Sequence, residues 1–299
     1  RREVARPKKG PVTPRMIELL RSAIDEGRDA LVFAGRRGDV LRLRCTDCGW
    51  GPSCATCGTG LGVTAGEATL RCRVCGARAT APDECGSCGG RLSERGWGHE
   101  RIARELERAG VGGTVLRVVA GGELDRPDEP VIVVGTLAAV HAVSGVGAAC
   151  VADLDQLLGR PDFRAAERAL HALHEIAAVL APDGRFLVQT REPDHPVVQS
   201  FTRGNYRFFL DRELPFREET SYPPFGVIVR AEVDPLHLDD LERAVGRAGR
   251  IVGAVPVPRK KKLGALIRAQ KIGPLLEPLR AFGIAHPTAR IDVDPTEIT

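Results

Sequence analysis

The sequence predicts an α/β fold: a largely parallel sheet, interrupted by a cysteine-rich insertion and followed by a small α+β domain. Three observations carry this reading. Short apolar runs at residues 30–35, 115–119, 131–134, 148–152 and 186–190 alternate with segments of helical periodicity, the pattern of strand–helix units joined by right-handed crossovers. Eight of the nine cysteines fall into four Cys-x-x-Cys pairs between Cys45 and Cys88. Near Tyr222-Pro223-Pro224-Phe225 the chain changes character, because proline continues neither a helix nor a central strand.

The elements follow in order. Residues 1–12 are basic and proline-punctuated, which suits a linker. Thr13 reads as an N-cap with Pro14 at the first helical position, and Met16, Leu19, Leu20 and Ile24 recur at helical spacing up to Gly27. A buried strand is expected at residues 30–35, leading into Arg36-Arg37-Gly38. After the cysteines, Ile102, Leu106 and Ala109 mark an amphipathic helix closed by Gly110. A long helix is expected over about 162–180, ahead of Pro182. Beyond the proline-rich turn, residues 227–233 alternate as a strand, 238–251 read as helix, and 289–294 as a strand. The domain boundaries expected are a linker at 1–12, an α/β lobe at 13–44 and 91–205, the insertion at 45–90, a connection at 206–217 and the α+β domain at 218–299.

The cysteines are Cys45, Cys48, Cys54, Cys57, Cys72, Cys75, Cys85 and Cys88. A Cys-x-x-Cys knuckle turns two thiolates onto one ion, and two knuckles complete the tetrahedral shell of a structural zinc, so two zinc ions are predicted. Glycine follows the second cysteine of each pair, where a backbone free to take positive φ can aim its N–H at a sulfur. The segment is too short and polar to bury a core of its own, so metal must hold it folded. Four disulfides would need an oxidising compartment, and no apolar signal segment precedes the cysteines. Four thiolates close the shell, which argues for structural rather than catalytic metal. Cys150, alone in an apolar run, reads as a buried small hydrophobe.

The 43% hydrophobic content is that of a soluble globular protein, and no apolar run of membrane-spanning length occurs, so a cytoplasmic protein without a membrane partner is expected. The net charge of +4 is largely offset by about −2 at each closed four-thiolate zinc site, so local clusters rather than total charge must indicate nucleic acid. The clearest cluster is Arg259-Lys260-Lys261-Lys262, with Arg268 and Lys271 close behind. Clustered cations gain affinity for phosphates through counterion release. Arg36 and Arg37 are further candidates for positioning contacts to DNA phosphate. Trp50 and Trp97 flank the cysteines and are read as caps on the metal core. Asp153 and Asp155 read as a satisfied turn or cap, and the seven histidines show no ligand spacing. The sequence opens at Arg1 without an initiator Met, consistent with a piece of something longer.

Several strings taken together resemble the primosomal replication-restart helicases, the PriA family. They are "VFAGRRG" at 32–38, the eight-cysteine ribbon, "PDFRAAER" at 161–168, "PDHPVVQ" at 193–199 and "YPPF" at 222–225. The resemblance implies that residues 13–205 are a second helicase lobe carrying the zinc module, and that residues from about 218 onward are a domain used at DNA forks. It also implies nested zinc sharing, with Cys45, Cys48, Cys85 and Cys88 on one ion and Cys54, Cys57, Cys72 and Cys75 on the other; spacing alone equally permits sequential pairing.

The departures bear on activity. The family places its arginine for the γ-phosphate in a stretch that here reads His174-Glu175-Ile176-Ala177-Ala178-Val179-Leu180-Ala181, without arginine. The threonine of the preceding motif survives as Thr136, its lysine does not, and the chain has neither a Gly-Lys dipeptide nor an Asp-Glu-x-His string. Gly246-Arg247-Ala248-Gly249-Arg250 imitates the missing arginine motif but falls in the predicted C-terminal domain, on its helix. The expectation is a replication-restart protein that binds branched or single-stranded DNA at stalled forks and recruits replication proteins, with degenerate ATP-hydrolysis residues and no helicase activity of its own. The alternatives are an active ATP-dependent 3′–5′ helicase whose first lobe lies outside this sequence, and a zinc-ribbon module that contacts only proteins.

Overall fold

The computed structural model describes residues 2–7, 10–35, 40–55, 60–64, 69–72, 77–95, 98–118, 126–160, 162–257 and 260–295. They run in order through β1 (Arg2–Ala5), α1 (Pro14–Asp25), β2 (Ala30–Phe33), β3 (Val40–Cys45), β4 (Gly62–Thr64), β5 (Thr69–Arg71), β6 (Arg78–Thr80) and β7 (Leu92–Arg95). Next come α2 (His99–Arg108), β8 (Thr114–Val118), β9 (Val131–Gly135), α3 (Leu137–His141), β10 (Val146–Val151), α4 (Asp155–Leu158), α5 (Ala165–Ala178) and β11 (Leu180–Gln189). The remainder is α6 (Pro196–Arg203), α7 (Tyr206–Glu219), β12 (Val227–Val233), α8 (Leu238–Val245), β13 (Arg250–Pro256), β14 (Leu263–Ala269), α9 (Gly273–Ala285) and β15 (Arg290–Val293). The chain divides into two compact units, residues 1–42, 64–67 and 93–209 in one and 43–63, 68–92 and 210–299 in the other.

The first unit is built on a six-stranded sheet in the order β1-β11-β10-β2-β9-β8, with every pairing parallel. Parallel strands covered on both faces read as continuous apolar runs, and the central strands β2, β9 and β10 are buried along their whole length. On one face, Met16, Leu19, Leu20 and Ala23 of α1 and Ile102, Ala103 and Leu106 of α2 pack on Ala30, Val32, Ile132, Val134, Ala148 and Cys150. On the other, α5 and α6 close the layer; Phe186 of β11 meets Phe201 of α6 edge-on with ring centroids 5.0 Å apart. Burying a leucine as completely as Leu20 contributes about 1.5–3 kcal/mol. The predicted α/β lobe is therefore present, and Cys150 is fully buried, its thiol pushed up to about 12 by burial.

Thr13 caps α1, its hydroxyl accepting from the Met16 N–H at 3.3 Å, with Pro14 in the first turn. The linker expected over 1–12 is partly wrong, because residues 2–5 form an edge strand in register with Phe186–Gln189. Its sequence, Arg-Glu-Val-Ala, has too few apolar residues for a strand to be visible, and pairing to β11 on one side alone holds it. The connection expected at 206–217 is helical, as part of α7.

The C-terminal domain is an antiparallel sheet, β13-β14-β12-β15, against α8 and α9. Strand β12 occupies residues 227–233, as the alternation predicts. The helix expected over 238–251 stops at Val245: Gly246 turns at φ 50°, and the β-branched residues Ile251, Val252 and Val255 go into β13. Gly246-Arg247-Ala248-Gly249-Arg250 consequently spans the turn into β13 instead of lying on a helix. No helix among the described residues is long and apolar enough to cross a membrane.

Gln189, fully buried, joins three segments of the first unit. Its Nε2 donates to the Pro11 carbonyl at 2.6 Å and the Ala152 carbonyl at 2.9 Å, and its Oε1 accepts from the Thr13 hydroxyl at 2.5 Å. Gln189→Leu keeps the volume and removes every one of these bonds, so it should destabilise the chain by about 1–3 kcal/mol, read as a lower urea midpoint at unchanged slope.

Candidate functional site

The cysteine-bearing residues contribute β3 to β7, a five-stranded sheet in the order β6-β5-β4-β3-β7. Its strands are short, and among the described residues Leu61, Val63 and Leu70 are the main apolar side chains buried along with Cys45, Cys54, Cys72 and Cys85. Cys45, Cys48, Cys85 and Cys88 converge, with all four sulfurs within 4.8 Å of one another. Cys45–Cys88 and Cys48–Cys85 sulfurs are 3.6 Å apart, and Cys48–Cys88 3.4 Å. A disulfide would require about 2.05 Å. Four thiolates about 2.3 Å from a common tetrahedral centre lie about 3.8 Å apart, so the cluster fits a metal ion and not a bridge.

The backbone explains the convergence. Gly49 and Gly89 take φ of 74° and 69°, turning each knuckle so that their N–H groups close onto the carbonyls of Cys45 (3.2 Å) and Cys85 (2.9 Å). The expectation that glycine donates to sulfur is thus not met at Gly49 and Gly89, while Gly58 and Gly76 lie outside the described residues; Asp47 N–H donates to Cys45 and Ser87 N–H to Cys85, each at 3.4 Å. These two positions lie inside the knuckles, where the chain must turn its amides inward. Trp50 packs on the second knuckle, since a Cβ at Gly86 would meet its ring at 3.0 Å. It has the expected capping place; Trp97 lies outside the described residues.

Electrostatics favour an ion here. Backbone N–H groups of Cys48 and Asp47 lower the Cys45 thiol to about 7. The Gly90 N–H favours the Cys88 thiolate, yet the crowded sulfurs of Cys48, Cys45 and Cys85 push that thiol up to about 12. Four sulfurs this close cannot all ionise without a cation among them. Of the second predicted set, Cys54 and Cys72 are buried, while Cys57 and Cys75 lie outside the described residues.

The basic run falls in the hairpin between β13 and β14. Lys260 pairs with Glu232 at 2.7 Å, Lys262 donates to the Thr288 carbonyl, and Lys261 is exposed. Arg36, Arg37 and Arg259 lie outside the described residues. Cross-strand register extends the cluster: Arg250 is opposite Arg268, and Glu232 is opposite Arg290 and two residues from Arg230. These side chains share the sheet face away from the core that holds Val229, Ala231 and Val233. Lys260, then Arg230 and Arg290, hold the Glu232 carboxyl below its usual range. Sequence spacing could not reveal this face, because its cations come from four strands.

The remaining candidates are structural. Asp155 accepts from the Thr190 hydroxyl and Arg191 Nε, both at 2.5 Å, and Gln156 donates to Asp153 at 3.2 Å, so both acids are satisfied at the start of α4. The stretch 174–181 completes α5 and enters β11. The histidines are not all scattered: His237 and His286 meet beside Asp240.

Replacing Cys45 and Cys88 with serine removes one donor from each knuckle. The double variant should lose the metal held here, measured by elemental analysis, and with it binding worth about 10–16 kcal/mol per ion, so that amides of residues 43–55 and 77–92 lose protection from exchange. Unchanged metal content would exclude this cluster as a site.

No family model matches the chain. Among curated proteins it is 27% identical to replication restart protein PriA of Haemophilus influenzae over 277 residues, 83% of this chain and 38% of that protein. It is 26% identical to PriA of Thermotoga maritima over 245 residues, 75% of this chain and 32% of that protein. A probable PriA of Deinococcus radiodurans is 32% identical over 232 residues, 75% of this chain and 25% of the relative. The chain thus spans about a quarter to two fifths of the length of these relatives. With similarity over most of its own length, a parallel α/β lobe and paired cysteine knuckles, the chain belongs to the replication restart protein PriA family.

Proposed function

We propose that this chain serves replication restart, binding branched or single-stranded DNA at stalled forks through its basic surfaces and recruiting replication proteins, without hydrolysing ATP. The observation that carries this is the similarity over 83% of the chain to a replication restart protein. Two zinc ions hold the cysteine module, one on Cys45, Cys48, Cys85 and Cys88, the other on Cys54, Cys57, Cys72 and Cys75. Their role is structural: four thiolates leave no open coordination position for a reacting water. The module forms an insertion at 45–90 between the two parts of the lobe, and residues 218–299 form the DNA-facing domain.

Phosphate binding belongs to the outer face of the C-terminal sheet and its hairpin. Arg230, Arg250, Arg268 and Arg290 with Lys260, Lys261 and Lys262 outnumber Glu232 and Asp292 there, and the adjacent Arg259 adds to them. Arg36 and Arg37, following β2, add a second positioning group on the lobe. Such cations set register on nucleic acid without reading sequence. For the nucleotide, residues 174–181 supply no arginine to a γ-phosphate, and Arg191, which follows β11, is held by Asp155.

Two measurements test this reading. Fork DNA should bind with affinity that falls steeply with salt, and Lys261→Glu with Arg290→Glu should reduce the slope of log K against log salt by about 0.9 for each phosphate left without its cation. Binding insensitive to salt would favour a module that contacts only proteins. The full-length natural polypeptide should show no DNA-stimulated ATP turnover; robust hydrolysis would instead establish an active helicase.

A further inference from the structure

The C-terminal domain brings together two imidazoles and a carboxylate that are far apart in sequence. His237 ends a 3-10 turn whose geometry is fixed by Asp234, which accepts from the Leu236 N–H at 3.0 Å. Asp240 follows in the first turn of α8, three residues on and so on the same side of the helix. His286 sits just past α9, its N–H bonded to the Phe282 carbonyl at 2.9 Å and its ring against Phe282 with centroids 4.5 Å apart. The helices bearing them are packed through Leu241, Val245, Leu275, Leu279 and Phe282, so the three side chains stand on a fixed base.

Their spacing is not that of hydrogen bonds. Asp240 Oδ2 is 3.7 Å from His237 Nδ1 and 3.5 Å from His286 Nε2, and one donor atom from each residue lies within 4.8 Å of the others. Direct hydrogen bonds would draw these atoms to about 2.7–3.2 Å. Ligands about 2.1 Å from a shared tetrahedral centre lie about 3.4 Å apart, near what is found. The imidazole rings stand 4.1 Å apart, tilted by 36°, and an imidazole nitrogen is a common metal ligand through its lone pair.

We propose that His237, Asp240 and His286 form a binding site for one borderline divalent cation of the zinc, nickel or cobalt class, separate from the cysteine clusters. Two imidazoles and one carboxylate select such ions over magnesium or calcium, which require oxygen-rich shells. His237 and Asp240 are more than a third exposed, so the fourth position opens to solvent. The ion would join the start of α8 to the end of α9. Arg243 engages the other carboxylate oxygen of Asp240 and so competes for its charge.

The test uses the chain with its thiolate sites loaded with zinc and excess metal removed, titrated with Zn²⁺ in a calorimeter. A further saturable binding event is expected, weakened at least tenfold by His286→Gln and by His237→Gln, and strengthened by Arg243→Gln. His237→Gln changes an exposed side chain, so it serves if the more enclosed His286 variant fails to fold. No binding beyond the thiolate equivalents, unchanged affinity in the two histidine variants, or weaker binding in Arg243→Gln would each overturn the proposal.

Discussion

Residues 43–92 depend on bringing four sulfurs to one point. Their strands are three to six residues long, and among the described residues few apolar side chains, chiefly Leu61, Val63 and Leu70, are buried to offset the entropy of ordering the segment. Convergence of Cys45, Cys48, Cys85 and Cys88 fixes both ends of the stretch at once, so the intervening strands inherit their positions from the knuckles. The same convergence leaves the thiols poorly matched to one another, with Cys45 low and Cys88 high. A cation among the sulfurs would remove that conflict and so couple folding of this segment to the ion.

The first unit is stabilised differently. Its sheet needs no ligand, because both faces of β2, β9 and β10 are covered by helices and the strand interiors are wholly apolar. Polar groups inside it are few, and Gln189 is the clearest satisfied case: one amide serves the entry to α1 and the end of β10 together. The first unit thus rests on a buried apolar core, whereas the cysteine segment would rest on coordination of an ion, and the two should respond to different insults, denaturant in the first and chelation or oxidation in the second.

Much of this was readable from residue order, for identifiable reasons. Fully buried parallel strands announce themselves as runs such as Val131–Gly135, and the Thr13-Pro14 start of α1 is a local signal that tertiary context did not override. Cysteine spacing revealed the knuckles because each pair is local. What stayed hidden is non-local: the β1 pairing is decided by β11, nearly the whole lobe away, and the cationic sheet face is assembled from four strands by register. The helix expected over 238–251 failed for another reason, since the periodicity of Leu238, Leu241 and Val245 ran on into Ile251 although Gly246 had already turned the chain. His237 and His286 gave no motif because only the packing of α8 on α9 makes them neighbours.

The edge position of β1 has a practical consequence. Its four residues occupy the outer hydrogen-bonding row of β11. A fragment begun at Thr13 would strip that row bare and leave a longer naked strand able to recruit a second chain, inviting self-association. Retaining Arg2–Ala5 leaves as the edge a four-residue strand bearing Arg2 and Glu3, the short and charged kind of edge that discourages pairing with another chain.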